Sequence, residues 1–127
     1  MSIAQRVRFG EDGLIPVAVT DADTGRLLVL CYQNLEALKK TLSEGQVHVY
    51  SRSRDKVALK GATSGHTQRV RDIRVNCDEN SLEIRVDQDT AACHAGYYSC
   101  FYRTWDETAG EWKIDEERVF DPKQVDS

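Results

Sequence analysis

The sequence lacks any long hydrophobic run, and this absence limits where the protein can act. No stretch of its 127 residues approaches the roughly 18 apolar residues of a membrane span. The first 13 residues carry charges where a secretory signal peptide would have its apolar segment. We therefore expect a cytoplasmic protein with no membrane partner, in which the four cysteines stay reduced and form no disulfides.

Proline is scarce, and no internal repeat or low-complexity tract divides the chain. The two prolines fall near the ends, so no Pro-rich linker is present. The length lies within the roughly 100–200 residues of one domain. A hydrophobic fraction of 40% is enough for a packed core. We expect residues 1–127 to form a single domain.

An excess of positive charge is also missing. The formal net charge is −4 at pH 7, so the chain as a whole is not expected to bind a polyanion. Nucleic acid is therefore not an expected partner. A local basic pocket for a small phosphorylated ligand is compatible with this balance.

What is present is mostly strand pattern. Apolar runs at 14–20 and 26–32 flank a turn-forming segment and predict a β-hairpin. Leu82, Ile84 and Val86 alternate strictly with polar residues, which predicts a further strand. Other extended segments are expected at 47–51 and 70–75, and residues 96–101 are expected to lead into a short strand.

One helix is predicted between the first hairpin and the next strand. Asn34 provides an N-cap, and Gly45 suits the position after the last turn. Leu35, Leu38 and Leu42 recur at helical spacing between them. One helix among several strands predicts an α+β fold, with a small, largely antiparallel sheet and one main helix.

Three of the four cysteines, Cys77, Cys93 and Cys100, occur in one polar stretch. Thiolates are ligands that zinc prefers, and three protein ligands leave a fourth position for a reactive water. Fifteen and then six residues separate the three, unlike the two-residue spacing of zinc fingers. The residues alone therefore leave two interpretations open, a zinc site and scattered free thiols. Cys31, within an apolar run, is interpreted as a core thiol.

His94 directly follows Cys93. Neighbouring side chains of an extended segment point to opposite sides, so His94 suits acid–base catalysis beside a metal better than metal ligation. The alternative is a histidine packed in a loop.

Around Cys77, polar oxygens alternate at Asn76, Asp78 and Asn80. Such a row can hold a hard cation such as Mg²⁺. Two of the three side chains are uncharged amides, however, and Asn/Asp-rich segments are typical of turns between strands. On local grounds the turn is favoured.

Two basic, hydroxyl-containing and glycine-containing segments contain the groups that bind phosphate. An ordinary solvated turn is the alternative interpretation. The candidate substrate-binding residues are Ser51, Arg52, Ser53, Arg54, Lys60, Ser64 and Gly65.

Taken together, these motifs resemble a known family, phosphoribosyl-AMP cyclohydrolase of histidine biosynthesis, over residues 14 to about 103. Several motifs occur in the family's order and spacing, which makes the resemblance far more specific than any one of them. The motifs are Tyr50-Ser51-Arg52-Ser53-Arg54, Lys60-Gly61, Thr63-Ser64-Gly65-His66-Thr67-Gln68, Cys77-Asp78, Ala92-Cys93-His94 with Gly96, and Ser99-Cys100-Phe101-Tyr102-Arg103.

The resemblance implies an intertwined homodimer of α+β fold that hydrolytically opens the adenine ring of N1-(5-phosphoribosyl)-AMP. It implies Zn²⁺ held by Cys93 and Cys100 of one chain with Cys77 of the other. His94 would move protons, and the two basic segments would bind the two phosphates of this small nucleotide substrate.

The chain also departs from the family's pattern. Asn76 and Asn80 stand where the family has carboxylates around a Mg²⁺ site, which leaves Asp78 in a weakened site. Ala62 stands where the family has a glutamate. The alternative function is therefore a zinc-binding paralogue, non-catalytic or shifted in substrate, that binds a phosphorylated purine nucleotide.

Overall fold

The computed structural model describes residues 3–62 and 64–124, which form eight strands and one α-helix. Short 3₁₀ helices lie at Ile3–Gln5 and Pro122–Gln124. The main elements are β1 (Ile15–Asp21), β2 (Leu27–Gln33), α1 (Leu35–Glu44), β3 (His48–Ser51), β4 (Lys56–Leu59), β5 (Gln68–Val75), β6 (Leu82–Gln88), β7 (Arg103–Asp106) and β8 (Glu111–Ile114).

The central sheet has four strands in the order β2-β1-β6-β5. The β1–β2 and β5–β6 pairs are antiparallel hairpins, and β1 and β6 run parallel in the centre. The predicted α+β class with a largely antiparallel sheet is therefore confirmed. Two further hairpins, β3–β4 and β7–β8, form separate two-stranded sheets.

The core lies on one face of the central sheet. Strict alternation places Leu82, Ile84 and Val86 of β6 on this face, as the sequence predicts, and all three are buried. They adjoin Val17 and Val19 of β1, which are also buried. Helix α1 and strand β3 contact each other and β2.

Helix α1 begins and ends where the capping residues predict. The Asn34 side chain accepts a hydrogen bond from the Ala37 N–H at 2.9 Å, a contact typically worth about 1 kcal/mol. Gly45 ends the helix in the left-handed region, at φ 72°. The buried face differs from the expected leucine row: Leu38 is fully buried, whereas Leu35 and Leu42 are 44% and 37% exposed.

Residues 96–101 lead into a short strand, as the sequence predicts, because β7 begins at Arg103. Single hydrogen bonds to the start of β2, rather than a strand ladder, hold this segment in place. The Ser99 hydroxyl donates to the Leu27 carbonyl at 2.7 Å, and the Cys100 N–H donates to the Leu28 carbonyl at 2.7 Å.

The polar C-terminal part contains a hairpin that the sequence analysis did not predict. Strands β7 and β8 pair through Trp105 and Trp112, whose rings meet edge to face at 5.3 Å. A two-stranded hairpin is marginal by itself, and such an aromatic pair supports it. In the part of the chain that the structure describes, no helix is long and apolar enough to cross a membrane.

Candidate active site

A cavity of about 430 Å³ lies where the β3–β4 hairpin meets the loop after β6. Its wall contains the cations of Arg54 and Lys60, and no carboxylate lines it among the described residues. Cys93 and His94 also line it. The remaining lining residues are Ala58, Leu59, Gly61, Ala62, Ser64, His66, Ala91, Ala92, Phe120 and Pro122.

The loop that carries Cys93 and His94 is closed by its own backbone. The Cys93 N–H donates to the Tyr97 carbonyl at 3.2 Å, and the Gly96 N–H donates to the Cys93 carbonyl at 3.0 Å. This tight turn buries the Cys93 side chain and leaves His94 exposed. Adjacent residues therefore face different surroundings, as the sequence analysis expected for a sulfur ligand beside an acid–base residue.

The sulfur of Cys93 already has two polar neighbours. The Ala95 N–H donates to Cys93 Sγ at 3.4 Å, and Cys93 lies near enough to the Cys100 thiol to raise its pKa. Cys93 and Cys100 therefore supply two neighbouring soft ligands and suit Zn²⁺.

Burial keeps the nearby thiols protonated when no metal is bound. It raises the pKa of the Cys100 thiol to about 11, with Cys93 adding to the rise and Lys60 opposing it. Burial also raises the pKa of Cys31 to about 12; Lys60 opposes this rise and Cys100 adds to it. Cys31 is half-buried and packs against the core, as the sequence predicts.

Lys60 links the basic segment to the cysteine loop. Its ammonium group donates to the Ala92 carbonyl at 2.7 Å, immediately before Cys93. Gly61 lets the loop between β4 and β5 close on itself, because a Cβ at that position would lie 2.1 Å from the His66 carbonyl oxygen. The β4 end and the loop after β6 are therefore held in close contact.

The predicted phosphate-binding residues separate into two groups. Arg54, Lys60 and Ser64 line the cavity. Arg52 turns away: its guanidinium bonds the Asp12 carboxylate at 3.0 Å and lies 4.5 Å from the Tyr32 ring centroid.

The other three predicted phosphate-binding residues are used in turns. The Ser51 and Ser53 hydroxyls lie 3.2 Å apart in the β3–β4 turn. The Gly65 N–H donates to the Gly61 carbonyl at 2.8 Å.

Cys77 and Asp78 are exposed in the turn between β5 and β6. Asn76 builds this turn: its side-chain oxygen accepts the N–H groups of Asn80 and Ser81, both at 2.9 Å. Its amide nitrogen donates to the Asn80 side-chain oxygen at 2.6 Å. The turn interpretation is therefore confirmed. The two amide oxygens already serve the turn and bring no charge, so these residues do not fit a Mg²⁺ site.

Cys77 lies far from the other two cysteines of the same chain. It precedes β6 and Cys93 follows it, and seven residues of strand span about 20 Å. Two sulfurs on one zinc can be at most about 4.6 Å apart. Within residues 3–62 and 64–124, no group of three His, Cys, Asp or Glu side chains is placed to hold a metal ion.

Nine lining residues were not among the predicted site residues, and three of these nine have ring side chains: His66, Phe120 and Pro122. His66 belongs to a motif that the sequence analysis quoted, but it was given no role. Phe120 and Pro122 follow the last hairpin. An isolated aromatic residue in a polar stretch was their only local signal.

The fold and the site define a small α+β protein with a cationic, thiol-lined cavity suited to a phosphorylated ligand. A family model described as phosphoribosyl-AMP cyclohydrolase matches residues 29–102. The phosphoribosyl-AMP cyclohydrolase of Haloquadratum walsbyi is 50% identical over 119 residues, which cover 94% of this chain and 86% of that protein. The Haloarcula marismortui protein of the same name is 52% identical over 118 residues, 92% of this chain and 93% of that one.

The histidine biosynthesis bifunctional protein HisIE of Thermoanaerobacter pseudethanolicus is also similar. It is 44% identical over 124 residues, which cover 98% of this chain and 56% of the bifunctional protein. The chain belongs to the phosphoribosyl-AMP cyclohydrolase family, as the resemblance in the sequence analysis indicated.

Proposed function

We propose that the protein hydrolyses phosphoribosyl-AMP, opening its adenine ring in histidine biosynthesis. The observation that carries this proposal is that Cys93, His94, Arg54 and Lys60 all line one cavity. Such a cavity offers soft ligands for a metal, an imidazole for proton transfer and two cations for phosphate groups. These are the groups needed to hydrolyse the base of a phosphorylated nucleotide.

Zn²⁺ is the proposed cofactor, held by Cys93, Cys100 and Cys77 of a second subunit. The neighbouring sulfurs of Cys93 and Cys100 support two of these ligands, and the exposure of Cys77 supports the third. When bound, zinc supplies the Lewis acidity that activates water near neutral pH.

The remaining chemistry belongs to side chains of the cavity. Hydrolytic opening of a ring C–N bond removes a proton from water and delivers one to the departing ring nitrogen. The exposed imidazole of His94 lines the cavity and is the group proposed to move these protons. Arg54, Lys60 and Ser64 are proposed to bind phosphate oxygens through charge-assisted and hydroxyl hydrogen bonds.

We also propose the cytoplasm as the place of action, because reduced thiols are needed for the metal site. The most direct test supplies phosphoribosyl-AMP to the zinc-loaded protein and follows the ring-opened product by absorbance. We expect turnover without added Mg²⁺. A zinc-loaded dimer that produces no ring-opened product, with or without Mg²⁺, would overturn the proposal in favour of a nucleotide-binding protein.

A second prediction concerns the turn around Cys77. The double variant Asn76→Asp/Asn80→Asp is expected to bind Mg²⁺ measurably by calorimetry, because it restores two carboxylates beside Asp78. The native chain is expected to give no heat of binding in the same titration. Asn76→Ser/Asn80→Ser serves as the uncharged control. Equal Mg²⁺ binding by the native and double-aspartate proteins would contradict the prediction.

A further inference from the structure

The C-terminal segment (residues 118–122) crosses the loop that carries Cys93 and His94. The Arg118 guanidinium Nε donates to the Ala95 carbonyl at 2.9 Å. The Val119 N–H donates to the Gly96 carbonyl at 2.8 Å. These bonds attach the C-terminal segment directly beside the candidate acid–base residue.

Gly96 is the position where the crossing is closest. A Cβ there would lie 2.6 Å from the Phe120 carbonyl oxygen, and Gly96 has φ 101°. Both facts exclude a larger residue without movement of the segment. The absence of a side chain at Gly96 therefore lets the C-terminal segment pack closely against the loop. This packing places Phe120 in the cavity wall.

Phe120 is half-buried and forms part of the cavity wall. Its ring meets the His66 ring edge to face, with centroids 4.5 Å apart. Leu59 and Pro122 line the same cavity. The cavity therefore combines apolar and aromatic surface with the cations of Arg54 and Lys60.

This combination corresponds to the two parts of a nucleotide. Phosphates need cations and donors, and a purine base needs an apolar, preferably aromatic, surface. We propose that Phe120 is a substrate-binding residue of the cavity, and that its ring packs against the purine base of the substrate. The proposal rests on the proposed function, because that function supplies a purine nucleotide as substrate.

The test compares Phe120→Ala with the native zinc-loaded dimer. Base–aromatic contact contributes equally to the bound substrate and to the transition state. We therefore expect KM to rise on the order of tenfold, with kcat changed by less than about twofold. Melting temperature and zinc content are expected to stay at native values. A KM within about twofold of native, in a folded and zinc-loaded variant, would overturn the proposal.

Companion variants separate an aromatic contact from filling of space. Phe120→Tyr keeps a flat ring and is expected to retain the native KM. Phe120→Leu fills similar space without a ring and is expected to behave like Phe120→Ala; it also replaces Phe120→Ala if the alanine variant does not fold. Glu117→Ala, an exposed change just before the segment, is the matched neutral control. Native KM in Phe120→Leu would mean that Phe120 only fills space.

Binding of adenosine monophosphate separates this proposal from the proposed function. Calorimetry with this probe needs no turnover, so it remains informative if phosphoribosyl-AMP is not hydrolysed. We expect Phe120→Ala to weaken its binding on the order of tenfold relative to the native protein. Native turnover with unchanged binding in Phe120→Ala would overturn only the role of Phe120. If the native protein shows no turnover but Phe120→Ala binds adenosine monophosphate more weakly, only the proposed hydrolysis would be overturned.

Discussion

Cys77→Ser is expected to remove bound zinc and reduce hydrolysis of phosphoribosyl-AMP to background. Cys77 is exposed and lies about 20 Å of strand away from Cys93, so its ligand role requires a second subunit. Loss of one thiolate leaves two ligands where zinc prefers at least three. Because a metal bound between subunits also holds them together, the variant dimer should dissociate at higher protein concentration than the native one.

Mixing two inactive variants tests the shared site more sharply than either variant alone. Cys77→Ser and Cys93→Ser each damage both sites of their own homodimer. In a mixed dimer, one site receives both changes and the other receives neither. After unfolding and refolding of an equal mixture, random pairing should restore about a quarter of the native activity and zinc content.

The control for this experiment mixes Cys93→Ser with Cys100→Ser. Both residues are proposed to come from the same subunit of a site, so every site in every pairing keeps one damaged ligand and no activity should return. A zinc site shared between subunits would be contradicted if activity returned in this control mixture. It would also be contradicted if no activity returned in the mixture of Cys77→Ser with Cys93→Ser. Metal analysis after gel filtration gives a second measurement of the same result.

His94→Ala is expected to lower kcat by about 10²–10⁴-fold, the usual contribution of a positioned acid–base group. Zinc content should be unchanged, since His94 is exposed whereas the Cys93 thiol is buried. Added imidazole should restore part of the rate, because the exposed position lets a small molecule replace the missing side chain. Steady-state kinetics with and without imidazole measure both effects.

His48→Gln is the matched histidine control for this experiment. His48 is buried at the start of β3, where its ring contacts the Gln46 carbonyl at 2.9 Å. It lies outside the cavity, so kcat should stay close to native once folding is verified by melting temperature. A His94→Ala protein with native kcat, or one that lost zinc, would contradict the proton-transfer role.

Much of the secondary structure could be predicted because its signals are local. Period-two alternation identified β6, and side-chain and glycine caps set the limits of α1 at Asn34 and Gly45. No local signal showed that single tertiary hydrogen bonds hold the backbone at Ser99 and Cys100. The parallel pairing of β1 with β6 also has no local signal, because more than sixty residues separate the partners.

The sequence alone identified the chemical groups of the candidate site: the three cysteines, His94, Arg54 and Lys60. Only the tertiary structure decided which of them share one cavity. Arg54 lines the cavity, whereas Arg52, two residues earlier, bonds Asp12.

Phe120 reaches the same cavity from the C-terminal segment, and Cys77 is carried to the opposite end of β6. The physical reason is the range of the interactions. Residue type and spacing determine structure over only a few neighbouring residues. The cavity forms from segments far apart in the sequence, which come together only when the sheet and its crossing loops pack.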